Sequence, residues 1–228
     1  VVNDRGKLLE LVDVRKLYDG QTALDGVDLT VREGEFLGVV GPSGSGKSTL
    51  LHVMGGLLKP TSGDVIFKGN DVYKGEERKL AWYRKRVGFV FQSFNLLNEL
   101  TVFENVLLSM AIAGMREDKK AAFAVLEKVG MLEKWNSKPT MLSVGECQRV
   151  AIARCVVRNP QLILADEPTG SLDTENKVKI MEIFNTVHEE GRTVVVVSHD
   201  PSTLKGAERI IELVDGKIVR EVVRSGIS

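Results

Sequence analysis

The stretch Gly41-Pro42-Ser43-Gly44-Ser45-Gly46-Lys47-Ser48 constrains this chain more than any other, because it fits the pattern G-x-x-x-x-G-K-[ST]. An apolar run over 36–40 precedes it, and a helical pattern over 48–58 follows. A buried strand that ends in a glycine-rich turn and opens a helix can curl its backbone so that successive N–H groups face one point. The positive end of the helix faces the same point, which makes the turn a nest for phosphate oxygens. In this cradle, which continues to Thr49, Lys47 is expected to reach the β- and γ-phosphates. The Ser48 hydroxyl is expected to ligate Mg²⁺.

The rest of the chain supplies the setting for such a loop. Half-buried strands are expected at 8–14 and 27–31, and short strands at 65–67 and 87–91. From 93 to about 160 the pattern turns helical, with helices expected at 103–113, 119–129 and 146–157, punctuated by Gly114, Gly130 and Pro139. Apolar runs at 162–165 and 193–197 then read as buried strands flanking a helix at 177–190. A hairpin around Asp215-Gly216 joins 210–214 to 217–222. Strands separated by helices imply a largely parallel sheet that binds ligands at the carboxyl ends of its strands. The expectation is a single α/β domain over 1–228, with a catalytic core at 1–92 and 158–228 and a helical lobe inserted at 93–157.

Composition narrows the partners. Lys plus Arg number 31 and Asp plus Glu also 31, so the basic excess typical of nucleic-acid coats is missing and no nucleic-acid partner is expected. No apolar run approaches the roughly 20 residues that span a bilayer, and 1–10 lacks the apolar core of a signal peptide. Cys147 and Cys155 fall in one expected helix. Their spacing gives a rise of about 12 Å, beyond the roughly 7 Å limit for a disulfide. This fits a reducing compartment, and the expected location is the cytosol.

The run Leu162-Ile163-Leu164-Ala165 ends in Asp166-Glu167. In a parallel sheet that end lies beside the phosphate loop, so Asp166 is the expected Mg²⁺ partner. Glu167 is then placed to orient or deprotonate an attacking water. His199 follows the run 193–198 onto the same rim, where an imidazole can hydrogen-bond a γ-phosphate and brace the carboxylate. His52 and His188 lack such a context and are expected at the surface.

Several motifs occur in the order found in ABC (ATP-binding cassette) ATPases, a family this chain resembles over nearly its whole length. Leu142-Ser143-Val144-Gly145-Glu146 resembles the signature L-S-G-G-Q/E, and Gln148-Arg149-Val150-Ala151-Ile152-Ala153-Arg154 continues it. Gln92 stands at the position of the Q-loop glutamine, Ser171-Leu172-Asp173 at the D-loop, His199 at the switch histidine and Tyr18 at the aromatic that stacks on adenine. The stretch 87–97, with Leu100-Thr101 and Glu104-Asn105-Val106, is most similar to the MacB/LolD group of lipoprotein-releasing, macrolide-export and FtsE-like cell-division ATPases.

The resemblance implies a P-loop NTPase (RecA-like) core with a mostly parallel sheet, an N-terminal antiparallel β-subdomain and an inserted α-helical subdomain. It implies Mg²⁺-dependent hydrolysis of ATP to ADP and phosphate, with Lys47, Gln92, Glu167 and His199 as catalytic residues and Ser48, Gln92 and Asp166 as metal ligands. It also implies an ATP-bound head-to-tail homodimer, in which Ser143, Gly145, Glu146 and Asp173 meet the nucleotide held by the partner's loop. Ser143 and Glu146 have capping-box spacing, which independently suggests a helix N-terminus here. An integral membrane permease would hold the cassette at the inner face of the membrane. Phe91, Phe94, Leu96, Leu97, Leu100 and Phe103 are candidates to line the docking groove. Val144 departs from the signature glycine, and is tolerated if φ stays negative and the side chain points away from phosphate. Cys147 replaces the usual Arg or Gln. Two other readings are an ABC ATPase acting on nucleic acid or the ribosome, and a switch that barely hydrolyses.

Overall fold

In the computed structural model, which describes residues 5–224, β-branched and leucine-rich segments near the N-terminus pair as an antiparallel sheet. Strands β1 (Lys7–Tyr18) and β2 (Gln21–Arg32) form a long hairpin, and β4 (Ser62–Phe67) and β5 (Asn70–Asp71) extend it in the order β2-β1-β4-β5. The hairpin is longer than its sequence pattern suggests. Register shifts along β1, and a left-handed backbone at Asp13, break the strict alternation that would have marked it.

The second sheet has six strands in the order β10-β9-β3-β8-β7-β6. These are β3 (Phe36–Val40), β6 (Val87–Val90), β7 (Leu162–Asp166), β8 (Thr193–Val197), β9 (Arg209–Val214) and β10 (Lys217–Val223). All neighbouring pairs are parallel except β10 on β9. The sheet is buried on both faces, which explains its unbroken apolar runs. Leu162, Leu164, Val195 and Val197 pack with β1, β2 and helix α1 (Lys47–Met54). Ile163, Ala165, Val194 and Val196 pack with the helices on the other side.

Helices α3 (Val102–Ile112), α4 (Lys119–Lys128) and α5 (Val144–Val156) lie between β6 and β7, and α6 (Thr174–Glu189) between β7 and β8. The mostly parallel sheet, the N-terminal antiparallel sheet and the inserted helices match the expected P-loop NTPase class. Helix α2 (Glu77–Arg84) was not legible in the sequence, since it buries only Tyr83 and carries no apolar stripe. Among the described residues, no helix is long and apolar enough to cross a membrane.

His188 corrects a second expectation. It is not a surface residue: its ring packs edge-on against Phe36 at 5.7 Å and its Nδ1 is buried. His52 is likewise half-buried, 5.5 Å from the Phe89 ring. Both cysteines fall in α5 and are free thiols, with Cys155 buried and Cys147 partly so. Burial pushes the Cys155 thiol up to about 12.

Candidate functional site

Parallel strands bring the loops after β3, β6, β7 and β8 to one edge, and the candidate residues converge there. Gly41 leaves β3 with φ 153°, and a Cβ on it would lie 2.1 Å from the Leu213 carbonyl oxygen, so only glycine fits against β9. The loop is held from outside by the β9–β10 turn, whose Gly216 N–H donates to Ser45 O at 3.0 Å. Helix α1 then starts at Lys47 with no side chain capping its first turn, which leaves N–H donors aimed into the loop. The Lys47 ammonium is mostly buried and folds back to donate to Gly41 O at 2.8 Å and Pro42 O at 2.7 Å.

One cleft of about 490 Å³ is lined by Ala23, Ser43, Gly44, Gly46, Lys47, Ser48, Thr49, Gln92, Glu167 and His199. Beside it, the Ser48 hydroxyl donates to Asp166 Oδ1 at 3.1 Å. Asp166 ends β7 and is buried, and desolvation raises its carboxyl pKa in spite of that hydrogen bond. A buried carboxylate next to a hydroxyl is short of positive charge, and a hard divalent cation would supply it. The described residues contain no group of three or more His, Cys, Asp or Glu able to hold a metal alone. The residues present therefore fit a cation that takes its remaining oxygens from a phosphate ligand and water rather than from an all-protein cage.

Glu167 follows Asp166 with φ 47°, a strained conformation for a residue with a Cβ. The bend turns its carboxylate away from β7 and into the cleft, where His199 Nδ1 hydrogen-bonds its Oε2. Gln92 reaches the same spot after β6. Gly170 lies beside both: a Cβ on it would stand 3.5 Å from Gln92 Nε2 and from Glu167 Oε2, at ordinary contact distance. The sequence reading placed the hairpin turn at Asp215-Gly216 but gave no sign that it braces the loop, and it did not single out Gly170.

The signature residues are elsewhere. Ser143 caps α5: its Oγ accepts from Glu146 N–H at 3.3 Å, and Glu146 Oε2 accepts from Ser143 N–H at 2.8 Å, completing the capping box. Lys134 Nζ also donates to Glu146 Oε1 at 2.5 Å. That contact first, and the Ser143 N–H second, hold the Glu146 carboxyl at about 2. Val144 occupies the first helical position, is not among the residues of positive φ, and has its side chain half-exposed. Asp173 caps α6, and the Asn176 N–H it accepts holds its carboxyl below the ordinary value. None of Tyr18, Ser143, Gly145, Glu146 or Asp173 lines the phosphate cleft of the same chain.

A larger concavity, about 700 Å³ between Phe67 and α2, holds no comparable set of convergent groups. A third, about 440 Å³, is lined by Phe89, Phe91, Phe94 and Ile112 and edged by Arg84, Lys85, Arg154 and Arg158. Of the proposed groove residues, Phe91 and Phe94 line it. Phe103 does not: it is buried in the helical lobe, stacked on Phe123 at 4.5 Å. Leu96 packs on the core, and Leu97 and Leu100 lie off the groove.

A family model described as ABC transporter matches residues 24–170. The chain is 46% identical over 222 residues to the lipoprotein-releasing system ATP-binding protein LolD of Geobacter metallireducens, covering 94% of this chain and 99% of that protein. It is 43% identical over 218 residues to the macrolide export ATP-binding/permease protein MacB of Chlorobaculum tepidum, covering 93% of this chain but only 34% of that longer protein. Among solved structures, the dimeric post-hydrolysis state of the ATP-binding cassette MJ0796 bound to ADP and Pi superposes with a TM-score of 0.88 at 40% identity. It covers 96% of this chain and 100% of that one.

Proposed function

This chain belongs to the ABC transporter ATP-binding family, and on that premise we propose that it is an ATP-hydrolysing subunit that drives a membrane permease through Mg²⁺-dependent closure of a homodimer. The observation that carries this reading is the Ser48–Asp166 contact beside a cleft that Lys47, Glu167 and His199 share. Lys47 exchanges its two loop carbonyls for phosphate oxygens and offsets their charge. Ser48 and Asp166, with Gln92, would hold a magnesium ion, which would supply positive charge against the phosphates. Glu167 would accept a proton from the attacking water, and His199, whose Nδ1 hydrogen-bonds that carboxylate, would hold it in place. Water adds to the γ-phosphorus as the bond to the ADP oxygen breaks, giving ADP and phosphate.

Tyr18 is assigned to the adenine ring and Ser143, Gly145, Glu146 and Asp173 to the nucleotide of a second copy. The exposed, capped tip at Ser143 and the exposed cap at Asp173 leave both free to meet a partner. Closure would bury both nucleotides, and loss of the γ-phosphate contacts would release the pair. We read 93–157 as the lobe that carries Ser143 towards the partner. The groove beside Phe91 and Phe94 is assigned to a short helix of the permease. Its edge carries Arg84, Lys85, Arg154 and Arg158, of which the three arginines donate to backbone carbonyls and leave their charge unneutralised, which favours an acidic partner. This would hold the subunit at the inner membrane face. Likeness to LolD and MacB supports export or lipoprotein release.

Glu167→Gln removes the proton acceptor and keeps the shape. With Mg-ATP, the variant is expected to run as a dimer in size-exclusion chromatography, whereas wild type turns over and stays monomeric. A variant that remains monomeric with saturating Mg-ATP refutes the closure reading.

A further inference from the structure

One side chain joins the tip of α5 to the cap of α6. Asn176 donates its backbone N–H to Asp173 Oδ1 at 2.8 Å and its Nδ2 to Asp173 Oδ2 at 2.9 Å. The other end of its amide faces α5, where Oδ1 accepts from Arg149 Nη1 at 3.4 Å. The same amide lies against Gly145. A Cβ there would come within 2.6 Å of Asn176 Oδ1 and 2.7 Å of its Cγ. Gly145 has helical backbone that any residue can adopt, so what a larger residue here would disturb is the Asn176 amide and not the helix. It is also buried while Ser143 and Val144 beside it are exposed, and Asn176 packs over it.

We propose that Asn176 is a positioning residue that locks the signature tip of α5 to Asp173, so that both elements meet a second copy in one fixed register. This rests on the closure reading, in which Ser143 and Asp173 face the partner's nucleotide. The chemistry selects an amide. An amide donates to a carboxylate from its nitrogen and accepts from a guanidinium at its oxygen, both atoms held in one planar group, and the short stem of Asn fits over Gly145. Asn176 does not line the phosphate cleft, so it acts through Ser143 and Asp173 and not on the nucleotide of its own chain. Without the tie, the two elements would have to be ordered separately when the dimer forms, which weakens assembly and leaves the first binding step intact.

The test places Asn176→Ala and Asn176→Asp in both the wild-type and Glu167→Gln chains, with ADP and Mg-ATP as probes. Asp keeps the shape and the acceptor but loses the donor to Asp173. In dilute protein, ADP affinity is expected to stay within about twofold and the melting temperature within a few degrees. In the Glu167→Gln background the protein concentration for half-dimerisation should rise about tenfold, the scale of a lost charge-assisted hydrogen bond. In the wild-type background, turnover per chain should fall at low protein concentration and recover as concentration is raised, which a merely structural defect would not do. Asn176→Asp should reproduce the effect. An unchanged dimerisation midpoint overturns the proposal, as does a parallel loss of ADP affinity and stability in both variants. If Glu167→Gln with its native Asn176 fails to dimerise, the closure reading itself falls and takes this inference with it.

Discussion

The phosphate loop and the tip of α5 are both helix N-termini, but the chain treats them in opposite ways. At α1 no side chain caps the first turn, and Lys47, Gln92, Glu167 and His199 surround it. At α5, Ser143 and Glu146 satisfy each other's backbone donors, and the tip stands exposed. An uncapped helix end keeps its donors for a ligand, whereas a capped one holds its own shape and offers only what the cap leaves over. The Ser143 hydroxyl accepts from Glu146 N–H and still has its own hydrogen to donate. On this reading the first terminus binds nucleotide alone, and the second is a preformed surface for a neighbour's nucleotide.

The contrast predicts separable losses. Lys47→Ala should weaken ATP and ADP binding about 100-fold or more in the monomer, because charge-assisted phosphate bonds vanish where N–H donors cannot replace them. Isothermal titration at low protein concentration measures this directly, and unchanged affinity would mean that the loop is not the primary site. Ser143→Ala should leave ADP binding alone and raise the half-dimerisation concentration of the Glu167→Gln chain about tenfold. Loss of its cap costs about 1 kcal/mol.

A smaller effect concerns acid. Glu146 has a folded-state value of about 2, below its ordinary 4.5, so its stabilising contribution is complete above the ordinary value and fades as pH falls towards 2. The melting temperature of wild type should exceed that of Glu146→Gln by about 2–4 °C at pH 7. The gap should narrow when the melts are repeated near pH 3 and close only as pH falls through about 2. The smallest effect is at Val144. Its side chain points to solvent from a helix that starts normally, so Val144→Gly should change steady-state ATPase activity less than about threefold. A large rise would show that the valine obstructs the partner's phosphate.

Sequence reading succeeded where one local pattern decides the structure. The runs before Gly41 and after Gln161, and at 193–197, are strands buried on both faces, and their ends fix where Lys47, Asp166 and His199 emerge. The Ser143–Glu146 spacing likewise announced a helix start that the structure contains. It failed where a residue takes its meaning from a distant contact. Asn176 looks like an ordinary surface position until Gly145 packs beneath it. The polar sequence of α2 hides a helix that a single buried Tyr83 anchors. Phe103 is as aromatic as Phe91 and Phe94, and only the packing of α3 on α4 sends it inward.

The bracket between Gly216 and Ser45 has a consequence for the order of events during synthesis. The Gly41 turn rests against the carbonyl of Leu213, and Ser45 is tethered to Gly216, so the anion pocket borrows its shape from residues made about 170 positions later. A nascent chain that has emerged only as far as α6 would carry every phosphate-binding residue of the motif and still lack the brace that shapes it. The loop's brace therefore arrives only with the last hairpin, and a fragment ending before β9 is expected to bind ATP far more weakly than the whole chain, as filter retention of labelled nucleotide would show.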